Sequence, residues 1–232
     1  MKTRQVLQKL IAWQGKTYSA ELGIDLSGGK EAEVFKWFLA AILFGARISE
    51  TIVKNAFRKF VQIGLITPQK IVKAGWDRLV EVLDAGGYVR YDFKTADKLL
   101  EVMGNLLQEY GGSLNSLHQN ARDTADLTER LQALGKGIGP TTTQIFLREL
   151  RGIWEKADPP LSNFAIQCAR HLKLLNGEKE PLVHLQTVWE RYGKPAGEFP
   201  LFEAALLRVG KNYCRKNRCE ECLLKMVCVK EV

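Results

Sequence analysis

The chain is predicted to be all-α, and three observations predict it. Apolar residues recur at helical spacing over most of the length, no alternating run of strand type extends beyond a few residues, and the periodic segments are separated by short glycine- or proline-bearing breaks. Together these give an all-helical protein of about ten helices. Its 232 residues suffice for one large domain or two small ones. A 46% hydrophobic, 26% charged composition is that of a soluble globular chain with a real core.

The elements follow in order. MKTRQVLQKLIAWQGK places Val6, Leu7, Leu10 and Ile11 on one face, an amphipathic helix rather than a secretion signal. Val34 to Phe44 is apolar almost all round, as a central buried helix would be, and is too short to cross a bilayer. No membrane partner and a cytoplasmic location are therefore expected, nucleoid-associated in a bacterium or archaeon. Phe57, Phe60 and Val61 form the next stripe. TADKLLEVMGNLLQEY carries Leu99, Leu100, Met103, Leu106, Leu107 and Tyr110 at helical spacing, and Thr141 to Trp154 carries Phe146, Leu150, Ile153 and Trp154. Leu182 to Tyr192 and Leu201 to Val209 complete the pattern. Ser27-Gly28-Gly29, Gly86-Gly87, Gly111-Gly112 and GKPAGEFP (193–200) read as turns or loops. Trp37, Trp76, Trp154 and Trp189 are expected in the core. His118, His171 and His184 lack metal-ligand spacing and are expected to be structural.

The formal charge of +8 points to a polyanionic partner, chiefly nucleic acid, or to plain solubility charge. Residues 135–140, Gly-Lys-Gly-Ile-Gly-Pro, separate the helical pattern Leu127 to Leu134 from one in which Pro140 suits the first position. No Gly-Lys-Ser/Thr follows and no strand precedes, so neither the P-loop nor the dinucleotide fingerprint fits. A helix-hairpin-helix does fit. Bare backbone at Gly137 and Gly139 would admit a phosphodiester, and the next helix would present unpaired N–H groups to it. Lys136 would add charge, and Thr141, Thr142 and Thr143 hydroxyls. Such contacts position DNA without reading its sequence. The alternative is a tight turn in a helical bundle.

Four of the five cysteines crowd into the tail as Cys214-x4-Cys219-x2-Cys222-x5-Cys228. Clustered cysteines in an intracellular chain argue for metal rather than disulfides. One short loop of four soft ligands suits a [4Fe–4S] cluster better than zinc, which usually takes two close pairs further apart. Zinc remains the alternative. Lys211, Arg215, Lys216 and Arg218 would offset the anionic thiolates or meet phosphates. Cys168, in a helical pattern, is expected to be a small buried hydrophobe.

ILFGARISETIV (42–53), RYDFKTADKLLEVMGNLLQEYGG (90–112), LGKGIGPTTTQI (134–145) and GKNYCRKNRCEEC (210–222) together resemble the helix-hairpin-helix DNA glycosylases of the endonuclease III type, over most of the chain. The resemblance implies two helical lobes with a DNA cleft between them. One lobe would be 30–157, holding the hairpin motif (127–151). The other would be 1–29 with 158–232, carrying the cluster loop (214–228). It implies a monomer acting on duplex DNA with a damaged or mismatched base. The chain departs from the pattern in four places, one of them Pro159-Pro160, which follow the matched aspartate where members often have Thr-His. Its first two cysteines are closer by two residues, Thr141 stands where bifunctional members carry the Schiff-base lysine, and Ala46 stands where members insert a glutamine. The neighbouring Arg47 would fill the space left by a flipped base or contact a phosphate.

The family's catalytic aspartate falls at Asp158. Asp158-Pro159-Pro160-Leu161 also reads as a helix start, with the aspartate as N-cap. Base loss puts positive charge on the sugar, which a fixed anion stabilises, and the same carboxylate can orient water for attack at C1′. The function implied is hydrolytic removal of a base without strand cleavage. The alternatives are a lesion-recognising DNA-binding protein without catalysis, and a glycosylase/lyase using another lysine, Lys136 or Lys30.

Overall fold

A computed structural model describes residues 3–193 and 198–229 of the chain. It is all-helical. The first helices are α1 (Thr3–Gln14), α2 (Tyr18–Glu21), α3 (Glu31–Phe44), α4 (Glu50–Gln62), α5 (Pro68–Ala85) and α6 (Asp92–Tyr110). They are followed by α7 (Leu114–Asn120), α8 (Thr124–Ala133), α9 (Pro140–Arg148), α10 (Asn163–His171), α11 (Pro181–Tyr192) and α12 (Phe199–Val209). A π-helical turn, Gly210–Cys214, extends α12, and a short 3-10 turn spans Lys225–Val227. Among the described residues the only β-type pairing is one isolated bridge, Arg151 to Trp154. The chain forms two compact units. Leu22–Pro159 is one, and the chain up to Glu21 with the chain from Pro160 onward is the other.

In the Leu22–Pro159 unit α3 is the core. Every residue from Val34 to Leu43 except Lys36 is almost fully buried, which the nearly all-apolar sequence requires. It packs on α4, α7 and α9. Buried polar groups close the end of α3 and that of its neighbour α9. Trp37 Nε1 donates to the carbonyl of Phe146 in the last turn of α9 (2.9 Å), and Tyr88 Oη donates to the carbonyl of Leu43 in the last turn of α3 (2.7 Å). Both acceptors lack the intrahelical partner that mid-helix carbonyls have. Glu31 accepts from the Ser113 hydroxyl and from the N–H groups of Leu114 and Asn115, so a carboxylate of α3 caps the start of α7.

In the other unit α12 packs on α1 and α10. Leu7, Leu10, Cys168, Ala205 and Leu206 are fully buried, and Trp189 of α11 stacks on Phe202 (5.0 Å). Arg208 donates to the Lys16 carbonyl, pairs with Glu21 (3.1 Å) and lies over the Tyr18 ring, which ties the end of α12 to the α1–α2 turn.

Several expectations from sequence are corrected. The helix expected over 141–154 ends at Arg148, because Glu149 closes it and Gly152 takes φ +76°. Leu150 and Trp154 are nevertheless buried, in a turn. Asp158 does not cap a helix. Ser162 does, accepting the Ala165 N–H, so α10 starts later than expected. Val61 and Trp76 are partly exposed, unlike Phe57 and Phe60. The loop expected over 193–200 holds the end of α11 at Gly193 and the start of α12 at Phe199, and 194–197 lie outside the described residues.

Candidate functional site

The glycine hairpin joins α8 to α9, with Pro140 at the first position of α9. Gly137 takes φ +90°, a conformation that side chains rarely adopt. It also lies against Lys98 of α6, and a Cβ there would come within 2.6 Å of Lys98 Cε. Lys98 is one of three α6 residues that brace the hairpin from below. Glu101 accepts the main-chain N–H of Lys136 (3.1 Å), and Asn105 donates to the carbonyl of Leu134 (2.9 Å). No carboxylate among the described residues pairs with Lys98, and burial holds its pKa below the ordinary lysine range. The α6 brace lies a full helix upstream, and only a side-chain pattern of Lys-x-x-Glu-x-x-x-Asn on one face marks it in the sequence.

Lys136, Gly137 and Thr141 are exposed and Gly139 is half-buried. Thr142 is not open to a ligand through its hydroxyl. It is 3% exposed and turned against Gly45, where a Cβ would overlap Thr142 Oγ1. Thr143 is also buried, its hydroxyl donating to the Gly139 carbonyl (2.7 Å). Of the three threonine hydroxyls expected at the start of α9, only that of Thr141 faces outward. The Gly45–Thr142 approach has a consequence: the α3–α4 turn carrying Arg47 sits directly against the second hairpin helix. Arg47 is exposed, and its carbonyl lies 3.5 Å from Tyr91 Oη.

Asp158 lies just beyond the α9 turn. Its Oδ1 accepts from Arg151 Nη1, and Arg151 Nη2 donates to the Pro159 carbonyl. The Arg151 side chain is 5% exposed and that of Asp158 is 53% exposed, so a buried guanidinium holds a carboxylate whose other oxygen has no partner among the described residues. The turn is anchored from behind. Trp154 donates to Asn115 Oδ1 (2.9 Å) and stacks on His118 (4.6 Å, 6°). Burial, then Lys156, push the His118 pKa below its ordinary value, against a smaller pull from Glu155.

In the other unit, Cys214, Cys219, Cys222 and Cys228 line one cavity with His171, Tyr213 and Lys225. Gly210 makes this possible: a Cβ there would overlap the Phe164 carbonyl, so only glycine lets the π-turn press onto α10. Cys168 is fully buried, as expected, but it is not an isolated core residue. Its thiol hydrogen-bonds with Cys214, and this contact, followed by burial, raises its pKa well above the ordinary value. Burial, and the cysteines around it, also raise Cys222, against the pull of the Leu224 N–H. No three His, Cys, Asp or Glu side chains among the described residues converge tightly enough to hold a single metal ion. Four soft sulfurs around a shared cavity do fit a larger group with thiolate ligands. His171 belongs to this site and was missed in the sequence, because it comes from α10, far from the cysteine run. Of the cations expected around the loop, Arg218 pairs with Glu221 (2.8 Å) and Arg215 lies over the Phe164 ring (5.5 Å).

No family model and no curated protein matches the chain. Among solved structures it is similar to a trapped endonuclease III–DNA covalent intermediate, an estranged-adenine complex, with a TM-score of 0.50 at 15% identity. The match covers 99% of this chain and 97% of that one, so what is shared is the fold along the whole length. The chain has the all-helical fold of endonuclease III.

Proposed function

We propose that this protein is a DNA glycosylase that removes a damaged or mismatched base from duplex DNA by hydrolysis. One observation carries the reading: within the endonuclease III fold, a half-exposed carboxylate at position 158 is aimed by a buried arginine and keeps one oxygen free. A fixed anion of this kind stabilises the positive charge that develops on a deoxyribose as its base departs. The free oxygen of Asp158 can also orient the attacking water. The nucleotide must be extruded first. The hairpin suits the grip on the backbone, through the exposed Lys136, the bare main chain at Gly137 and Gly139, the start of α9 at Thr141 and the main-chain N–H of Thr142. The exposed Arg47, on the turn packed against α9, would enter the duplex or meet a phosphate. Thr141 offers no amine, so no Schiff base forms at that position.

The four cysteines would hold a [4Fe–4S] cluster, which when bound serves as a staple fixing the loop on α10. Four thiolates on one short loop, lining one cavity, favour the cluster over zinc.

A second reading is favoured by the Asp158–Arg151 pair itself. A carboxylate committed to a buried cation is also what a purely structural ion pair looks like, and the protein would then recognise lesions without excising them. A panel of duplexes, each with one lesion or mismatch, separates the two. The hydrolytic reading predicts strand breaks only after alkali and no borohydride-trapped adduct. Breaks without alkali, with trapping, would assign a lyase and make Lys136 or Lys30 the candidate amine. Tight lesion binding without excision would assign the second reading.

A further inference from the structure

We propose that His171 donates a hydrogen bond from Nδ1 to a sulfur of the group held by Cys214, Cys219, Cys222 and Cys228. This rests on the cluster reading above and adds a fifth side chain to it. His171 is the last residue of α10 and lines the same cavity as the four cysteines. Its Nδ1 is buried and has no hydrogen-bond partner among the described residues. A buried polar nitrogen without a partner is costly, and such an atom in a native fold calls for a ligand or an ion to complete it.

Two neighbouring polar groups are already committed. Lys225 Nζ pairs with Glu220 (2.9 Å), and the Cys168 thiol hydrogen-bonds with Cys214. The His171 carbonyl accepts the N–H of Val229 (2.9 Å), so the residue after the last cysteine is tied to the end of α10. That bond keeps the imidazole beside the loop. Anionic sulfurs then supply the acceptor that the ring lacks. Four thiolates already complete the four irons of a cube, so the imidazole acts as a donor to sulfur and not as a ligand. Hydrogen bonds to cluster sulfurs raise the reduction potential, because they stabilise the more negative state.

The test uses the full chain purified with its cluster. In His171→Phe the cluster should still load, its reduction potential by film voltammetry should fall, and the iron–sulfur stretching bands in resonance Raman should move up. His171→Gln, which restores an N–H donor, should recover part of both shifts. In the wild type labelled with 15N-histidine, a weak nitrogen coupling to the paramagnetic cluster is expected. Unchanged potential and bands in His171→Phe would overturn the proposal, and so would a strong coupling showing direct iron ligation. If the phenylalanine variant does not fold, the labelled wild type and the glutamine variant still decide. A wild-type protein that is colourless and carries zinc would overturn the cluster reading itself, a result separate from any behaviour of the histidine variants.

Discussion

The proposed chemistry rests on one residue, Asp158, and its surroundings make it testable. Asn at this position keeps the hydrogen bond from Arg151 while removing the charge. Asp158→Asn is therefore expected to lower the melting temperature somewhat, because the buried Arg151 loses its counter-charge, and to lose excision by about 100-fold or more, the scale of losing one preorganised electrostatic group. Arg151→Met behaves differently. It leaves the Pro159 carbonyl without its donor and the carboxylate without its guide, so stability should fall by about 1–3 kcal/mol together with activity. Chemical denaturation run beside the excision assay checks both. Gly45 offers a cleaner structural test. Gly45→Ala drives a methyl into Thr142 Oγ1 and should cost about 1–3 kcal/mol, and Thr142→Ala in the same chain should recover most of it. Additive losses in that double-mutant cycle would deny the contact between the Arg47 turn and α9.

Among the elements, α6 does more than its apolar stripe announces. Lys98, Glu101 and Asn105 brace the hairpin, and Lys98 has no carboxylate partner among the described residues. The exposed Lys136, whose main-chain N–H this brace holds, is the cation proposed to meet a phosphate, so Lys136→Ala should weaken binding to undamaged duplex of any sequence and lower the salt slope by about one. A titration of affinity against salt measures it. The helices themselves were readable because burial imposes a period: the apolar run of α3, the stripe of α6 and Pro140 at the start of α9 all appear where the pattern puts them. Their ends and their partners were less readable. The end of α9 is set at Glu149, ahead of any glycine, the start of α10 by Ser162, and the inward turn of Thr142 by contact with Gly45. These are tertiary or single-residue events that period cannot express. The cysteine run was plain in the sequence, but the presence of His171 and Cys168 beside it depends on how α10 meets the π-turn.

For the molecule as a whole, charge and pH give the broadest expectations. A formal charge of +8 accords with a polyanionic ligand, and no helix among the described residues is long and apolar enough to cross a membrane. The depressed pKa of His118 makes stability depend on pH in a definite direction. The unfolded chain takes up a proton below about pH 6.5 while the folded site still resists it, so stability present above that pH is lost as pH falls below it. Replacing His118 with Gln should flatten that slope in urea titrations between pH 7 and pH 5. Removing the proposed cluster should lower the melting temperature of the wild type, since a ligand that binds only the folded loop stabilises it. The most direct measurement is single-turnover excision from a duplex carrying a lesion that the wild type accepts, with wild type and Asp158→Asn side by side. The wild type should leave abasic sites that break only in alkali, and the variant should leave the base in place while still binding the duplex. Equal excision by the two proteins would contradict a catalytic role for Asp158.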